Sequence, residues 1–245
     1  MNSFETKKIA NIPEYTMELT ASDLDDVFDN PDHTANDVMK LFYKDYDALY
    51  RATTGTIESY SLGRHTRMVL DQYFKYFKGK ELPVVNEKFF ESLLALHDIG
   101  KPLAAIDGDI EKQYEYTVEI LNKALPKLGF SESEKVLVIC LVDGDPIRKF
   151  FYKRDTDINE IVEDIQGRAK TAGLDIKDFW TLLKTYWMVD AGSYTVDAGG
   201  NESLDRMFEF EPDDGEMFLA PKIEERLSVL EEKLFEIEPQ IQYTI

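Results

Sequence analysis

Three histidines occur in this chain, and one of them stands directly before an aspartate. His65 and His97 fall on the apolar stripes of two predicted helices, and Asp98 follows His97. Burying an imidazole beside a carboxylate is costly unless their polar atoms are compensated, and a shared metal ion is one such compensation. Nitrogen and hard oxygen ligands suit Mn, Fe, Co, Ni, Zn or Mg. The third histidine, His33, lies in a turn-like Asn-Pro-Asp-His-Thr segment and is expected to be a surface loop residue.

Helices must bring these residues together, because apolar residues recur mostly at helical spacing and long alternating runs are absent. We therefore predict an all-α fold. Its helices span about 21–29, 35–52, 61–78, 86–97, 109–128, 131–142, 157–172, 175–191 and 221–237. A short hairpin is expected at Met207–Met217. The last helix opens with Pro221, and its apolar stripe (Ile223, Leu227, Leu230 and Leu234) is expected to pack on its own domain rather than form a dimer seam.

Composition places the chain among ordinary globular proteins. It has 245 residues, of which 43% are hydrophobic and 31% charged, which is long enough to bury a core without cross-links. Cys140 is the only cysteine, so no intramolecular disulfide is possible, which fits a reducing compartment. We find no apolar run typical of a signal peptide or a membrane span. The expectation is a cytoplasmic protein with no membrane partner.

The net charge of −20 argues against long nucleic acid as a partner, because such binding depends on neutralising phosphates with Lys and Arg. A small anionic substrate is compatible with this charge if a local cationic pocket receives it. The excess of acidic residues also has a simpler explanation, since it keeps the protein soluble. The one basic run, formed by Arg148, Lys149, Lys153 and Arg154, is interpreted first as solvated surface and second as a pocket rim.

Three segments resemble motifs of the HD-domain superfamily of metal-dependent phosphohydrolases, and they occur in that superfamily's order. LLALHDIGKP (93–102) resembles the central motif, SLGRHTRMVL (61–70) the helix of the first histidine, and WMVDAGSYT (187–195) the closing aspartate. The resemblance covers about residues 56–200. It implies an HD-domain helical bundle with two extensions, an N-terminal helical one (1–55) packed on the core and a C-terminal loop and helix (201–245).

The resemblance also implies roles for individual residues. His65, His97, Asp98 and Asp190 would be the ligands of one divalent metal ion. Asp98 would in addition orient the attacking water, and Lys101 would contact the substrate phosphate as a catalytic and binding residue. Arg64 and Arg67 flank the first histidine and are further candidates for binding phosphate, although an arginine on a helix usually faces solvent.

The chain departs from the family where many members bind a second metal with extra histidines. Tyr114 stands where one such histidine is expected, and Asp143, Gly144 and Asp145 occupy the next such region. No histidine follows His97, so a histidine-rich binuclear site is excluded by count. Asp143 or Asp145 could assist a second ion, but Gly-Asp-Pro is also an ordinary turn and is predicted as one. A mononuclear site is expected.

The resulting hypothesis is a phosphohydrolase or phosphodiesterase that acts on a nucleotide or another small phosphate ester through a metal-bound hydroxide. The preference for nucleotides rests on analogy with the family. Two alternatives stay open: an iron oxygenase of the HD fold, and a nucleotide-binding module without catalysis. The sequence leaves the metal's identity and a possible homo-oligomer undecided.

Overall fold

The computed structural model describes residues 18–54, 60–152, 157–194, 207–210 and 217–236, and its class is all-α, as predicted. The helices are α1 (Ala21–Phe28), α2 (Ala35–Arg51), α3 (Leu62–Tyr76), α4 (Glu87–Leu96), α5 (Lys101–Asp107), α6 (Gln113–Lys127), α7 (Glu132–Val142), α8 (Pro146–Tyr152), α9 (Ile158–Ala172), α10 (Ile176–Gly192) and α11 (Pro221–Phe235). A 3₁₀ turn, Ile110–Lys112, precedes α6. Strands β1 (Phe208–Phe210) and β2 (Met217–Leu219) form the expected antiparallel hairpin.

Every predicted helix is present, and two short helices were missed. The helix predicted over 86–97 was expected to stop at Gly100 and Pro102, but α5 begins at once after Gly100, with Pro102 in its first turn. Likewise α8 begins at Pro146, in the segment predicted as a turn. Proline has no N–H to lose in a first turn and its φ is already helical, so it starts helices as readily as it ends them.

Side-chain caps start the helices that carry the candidate ligands. Ser61 accepts the backbone N–H of Arg64 at the start of α3, and Asn86 accepts that of Phe89 at the start of α4. Asp175 accepts the N–H of Lys177 at the start of α10. Each cap satisfies a donor that the first turn leaves unpaired, so the positions of His65, His97 and Asp190 along their helices follow from local sequence.

Packing of the helices then brings the ligand-bearing ends together. Helix α3 packs against α2, α4 and α10, and α6 packs between α5 and α7. Helix α9 contacts α7, α8, α10 and α11. The stripe of α11 packs on its own domain as expected, since Leu227, Leu230 and Leu234 are buried in the common core. Among the described helices, none combines the length and the apolar character needed to cross a membrane.

The expectation that His33 is a surface residue was wrong. His33 is 6% exposed, and its Nε2 lies 2.7 Å from Oε2 of Glu91 and 3.0 Å from Nζ of Lys78. Lys78 Nζ is also 3.2 Å from Glu91 Oε1. These three residues form a buried charged group, called here the His33 triad. It connects the α1–α2 loop to the segment just after α3 and to the middle of α4, six residues before His97.

Gly100 is required by a close approach of α6 to the segment after Asp98. Its N–H donates to Thr117 Oγ1 at 3.0 Å. A Cβ at this position would lie 2.5 Å from the carbonyl oxygen of Gln113, and closer still to the backbone nitrogen of Thr117. Backbone atoms cannot rotate away as a flexible side chain can, so α6 or the ligand segment would have to shift.

We expect Gly100→Ala to lower the free energy of unfolding by about 1–3 kcal/mol, the usual cost of overpacking. Urea unfolding followed by circular dichroism measures it. Gly167→Ala is the matched control, since that helical glycine has no atom within 4 Å of a new Cβ; it should stabilise α9 by about 0.5–1 kcal/mol. Equal effects in the two variants would contradict the steric argument.

Candidate metal centre

Four side chains from three places in the fold meet at one point. His65 lies in the first half of α3, His97 and Asp98 lie between α4 and α5, and Asp190 lies in the last turn of α10. The four form a group that could hold a metal ion, because one possible ligand atom from each lies within 4.8 Å of the others. The structure therefore brings together all four residues that the sequence singled out.

The distances within this group are short. Nε2 of His65 lies 3.0 Å from Asp98 Oδ2 and 3.2 Å from Asp190 Oδ1. Nε2 of His97 lies 3.2 Å and 3.6 Å from the same two oxygens, and the two Nε2 atoms are 3.3 Å apart. Ligands bound at about 2.0–2.2 Å around one transition-metal ion have this kind of spacing.

The hydrogen bonding of the group fits a cation. His97 Nδ1 bonds to the carbonyl of Leu94 at 2.7 Å, so in the neutral ring the lone pair lies on Nε2, which faces the group. Asp98 Oδ2 and Asp190 Oδ1 are buried and make no hydrogen bond of ordinary geometry, although Asp98 Oδ2 is paired with the Lys101 ammonium and both oxygens face the imidazole nitrogens. Buried acceptors are normally satisfied, and a divalent cation would satisfy both oxygens at once.

The electrostatics of the group also favour positive charge. Burial opposes a charged imidazole, but Asp98 and Asp190 outweigh it and raise the pKa of His97 to about 10. Burial likewise opposes both carboxylates, yet His97 and Lys101 hold the pKa of Asp98 well below its usual range. His65 and His97 lower that of Asp190. The potential that draws a proton to His97 would draw a metal ion to the same place.

Lys101 stands beside the group rather than inside it. Its Nζ is 2.5 Å from Asp98 Oδ2, and the side chains of Lys101 and Asp98 are 14% and 9% exposed. The contact is an ion pair rather than a directed hydrogen bond. Asp190 is more open than the other ligands, at 28%. Solvent therefore reaches the group on the side of Asp190.

Two aromatic residues that the sequence did not single out hold the imidazoles. Tyr194 stacks on the ring of His65 with centroids 5.0 Å apart, and Tyr186 meets the ring of His97 edge-on at 5.9 Å. In the sequence, Tyr186 lies four residues before Asp190 and Tyr194 lies four residues after it. Tyr186 lies one turn before Asp190 on α10, whereas Tyr194 lies in the turn after the helix has ended at Gly192.

The two arginines beside His65 are not brought into the group. Arg64 is exposed and lies over the ring of Tyr60, 4.7 Å from its centroid. Arg67 Nε contacts both oxygens of Asp71, at 2.8 and 2.9 Å, so its guanidinium is paired on the outer face of α3. Either side chain would have to leave its present contact before it could bind phosphate.

Two of the four residues in the basic run after α7 lie in the part of the chain that the structure describes. Arg148 is exposed in α8, and its charge acts on Asp145 and Tyr114, which also interact electrostatically with Asp190. The exposure of Arg148 agrees with the solvated surface that was the first interpretation of this run. Lys149 follows it in α8, whereas Lys153 and Arg154 lie outside the described residues.

Asp143 and Asp145, two acids of one turn, differ in their surroundings. Asp143 is exposed. Asp145 is half-buried, and its Oδ1 accepts the N–H of Arg148 at 2.9 Å as the cap of α8. Burial and then the nearby charge of Asp190 raise the pKa of Asp145 to about 6 from 3.8. Arg168 holds the turn in place by donating to the carbonyls of Cys140 and Asp143.

We expect Asp145→Asn to stabilise the chelator-treated protein at about pH 8 but not at about pH 4. A carboxyl whose folded pKa is raised penalises the folded state once it ionises, so this penalty grows as pH rises from about 4 through about 6. Asparagine removes the penalty and keeps the cap. The gain is up to about 3 kcal/mol, measured by urea unfolding at both pH values. A loss of stability at pH 8 would contradict the assignment.

No family model, curated protein or solved structure matches this chain. The case for a function therefore depends on the site itself.

Proposed function

We propose that this protein is a metal-dependent phosphohydrolase of the HD type, acting on a nucleotide or another small phosphate ester. The observation that carries the proposal is the convergence of two imidazole nitrogens and two buried carboxylate oxygens on one point, with an ammonium group beside it. The resemblance of the LLALHDIGKP segment to the HD motif supports it. So does the opening of the group toward solvent at Asp190 and Lys101.

The donor set fits one divalent ion of the Mn, Fe, Co, Ni, Zn or Mg group. When bound, such an ion supplies Lewis-acid chemistry, which lowers the pKa of a water ligand and neutralises charge on phosphoryl oxygens. His65, His97, Asp98 and Asp190 would hold it. Asp98 would orient the attacking water through its carboxylate, and Tyr186 and Tyr194 would keep the imidazoles in place.

Lys101 supplies the positive charge that a phosphate needs in an otherwise acidic site. Its ammonium is fixed against Asp98 at the open side of the group, where the phosphoryl group of a substrate would lie. A fixed cation there stabilises the charge that develops on the phosphoryl oxygens in the transition state. The overall charge of −20 favours small substrates over long nucleic acids.

The experiment combines metal analysis with a hydrolysis screen on one preparation. The purified protein is stripped with a chelator, reloaded with each divalent ion in turn, and assayed against nucleotides and generic phosphodiesters. We expect about one metal per chain and release of phosphate, diphosphate or triphosphate only after reloading. A metal-loaded protein that hydrolyses no member of either panel would refute the proposal. Tight nucleotide binding without turnover would instead indicate a binding module.

Lys101→Met should lower kcat/KM by about 10²–10³-fold, the usual effect of removing one transition-state donor, with the metal content unchanged. Methionine keeps the apolar stem and removes the charge. Lys112→Met is the matched control, because Lys112 pairs with Asp107 at the surface and its loss should leave hydrolysis intact. Loss of metal together with activity in Lys101→Met would show that Lys101 supports the ligands rather than the substrate.

The donor set also favours a second candidate, an iron oxygenase, because two histidines with carboxylates are typical ligands of non-haem iron. Elemental analysis separates the two functions. Two irons per chain together with oxygen consumption would favour the oxygenase, whereas hydrolysis supported by redox-inert ions such as Mg²⁺ or Zn²⁺ would favour the phosphohydrolase.

A further inference from the structure

The helical path of the chain is broken at the residues that carry two of the candidate ligands. Helix α4 ends at Leu96, and α5 begins at Lys101. Within this break the N–H of Ile99 donates to the carbonyl of Leu96 at 3.1 Å, three residues back rather than the four of an α-helix. The Ala95 carbonyl and the Gly100 N–H, which a continuous helix would pair within itself, are therefore paired from outside.

Two side chains from neighbouring helices make these outside bonds. The hydroxyl of Tyr50 in α2 donates to the Ala95 carbonyl at 2.8 Å, and Oγ1 of Thr117 in α6 accepts the Gly100 N–H at 3.0 Å. Both side chains are buried, so solvent cannot take their place. Ala95 precedes the His-Asp ligand pair by two residues and Gly100 follows it by two. The two bonds thus hold the backbone on either side of the pair.

We propose that Tyr50 and Thr117 are positioning residues of the metal centre, an inference that rests on the metal binding of the proposed function. Neither belongs to the four-residue group, and each acts through the backbone that carries His97 and Asp98. Without one of these bonds, the break regains a hydrogen bond by shifting toward a continuous helix, which moves the ligand pair relative to Asp190 on α10. A metal site requires its ligands within about 0.5 Å of their working positions.

The test is a Co²⁺ titration of the chelator-treated protein, followed by the visible absorption of the bound ion. We expect Thr117→Val to raise the Co²⁺ dissociation constant about 10-fold, the lower end of the usual effect of losing an outer hydrogen-bond partner. Valine keeps the shape of threonine and removes the acceptor. Tyr50→Phe should have a similar effect, because it removes only the hydroxyl. Circular dichroism of both variants should match that of the wild type.

Thr117→Ser separates positioning from the loss of packing. Serine removes a buried methyl group but keeps the acceptor, so Co²⁺ affinity should stay near that of the wild type although the protein is less stable. Thr171→Val is the matched surface control. The Thr171 hydroxyl bonds to the Gly167 carbonyl on the exposed side of α9, and its loss should leave Co²⁺ affinity unchanged.

Wild-type affinity in Thr117→Val or in Tyr50→Phe would overturn the role of that residue. An equal loss of affinity in Thr117→Ser and Thr117→Val would overturn the role of the hydrogen bond. Each of these results leaves the phosphohydrolase proposal standing. A wild-type protein that binds no divalent ion would overturn both proposals. One that binds Co²⁺ with the expected pattern among the variants, yet hydrolyses no phosphate ester, would refute the phosphohydrolase alone.

Discussion

His97→Ala is expected to abolish metal binding and to lower phosphoester hydrolysis by at least about 10³-fold. His97 Nε2 is one of the four atoms that converge on the candidate metal position, and its orientation is set by the bond from Nδ1 to Leu94. A metal ion contributes several kcal/mol to transition-state stabilisation, and each 1.4 kcal/mol is a factor of ten in rate. Elemental analysis of the gel-filtered protein and the nucleotide assay measure the two effects.

The control for His97→Ala is the same substitution at another buried histidine, His33. His33→Ala removes a ring of the same kind from the His33 triad, which contains none of the four candidate ligands, and should leave one metal per chain and normal hydrolysis in the folded protein. If His97→Ala kept its metal, or if His33→Ala lost it equally, the four-residue centre would not be the metal site.

The second large effect is on stability, and it concerns the His33 triad. His33→Ala should lower the free energy of unfolding by about 3–5 kcal/mol, because it leaves Glu91 in the core without its closest partner. The side chain of Glu91 is 0% exposed, and burial raises its pKa, so its charge is already costly with His33 present. Lys78 remains 3.2 Å from Glu91 and still offsets part of its charge. The expected loss of stability therefore lies toward the lower end of that range. Urea unfolding near neutral pH provides the measurement.

Arg51→Met is the control for this prediction. Arg51 and Asp47 form an ion pair whose side chains are 74% and 51% exposed, and such pairs contribute at most about 1 kcal/mol. In a further variant, His33→Gln with Glu91→Gln, the buried charge is removed, so part of the lost stability should return. A loss in His33→Ala no larger than in Arg51→Met would show that water solvates Glu91.

Much of the local structure was predictable because it depends on neighbours in sequence. Helical periodicity located the ends of the long helices to within two residues, except that α6 begins at Gln113, four residues after its predicted start. The errors fell at Pro102 and Pro146, since proline after a loop is compatible both with the end of one helix and with the start of another. Only the contacts that the residues after the proline make in the folded protein show whether a helix ends or begins there.

The candidate ligand residues could be predicted from their residue types, but it could not be predicted that the fold brings them together. The sequence determined by itself that imidazole and carboxylate lie at core-facing helix ends, and that no histidine after His97 can bind a second ion. Tertiary structure decided the rest. Partners of His33 lie 45 and 58 residues away, and the segments that carry the candidate ligands meet only because α3 packs against both α4 and α10. Such contacts depend on how whole helices pack, which periodicity along one helix does not specify.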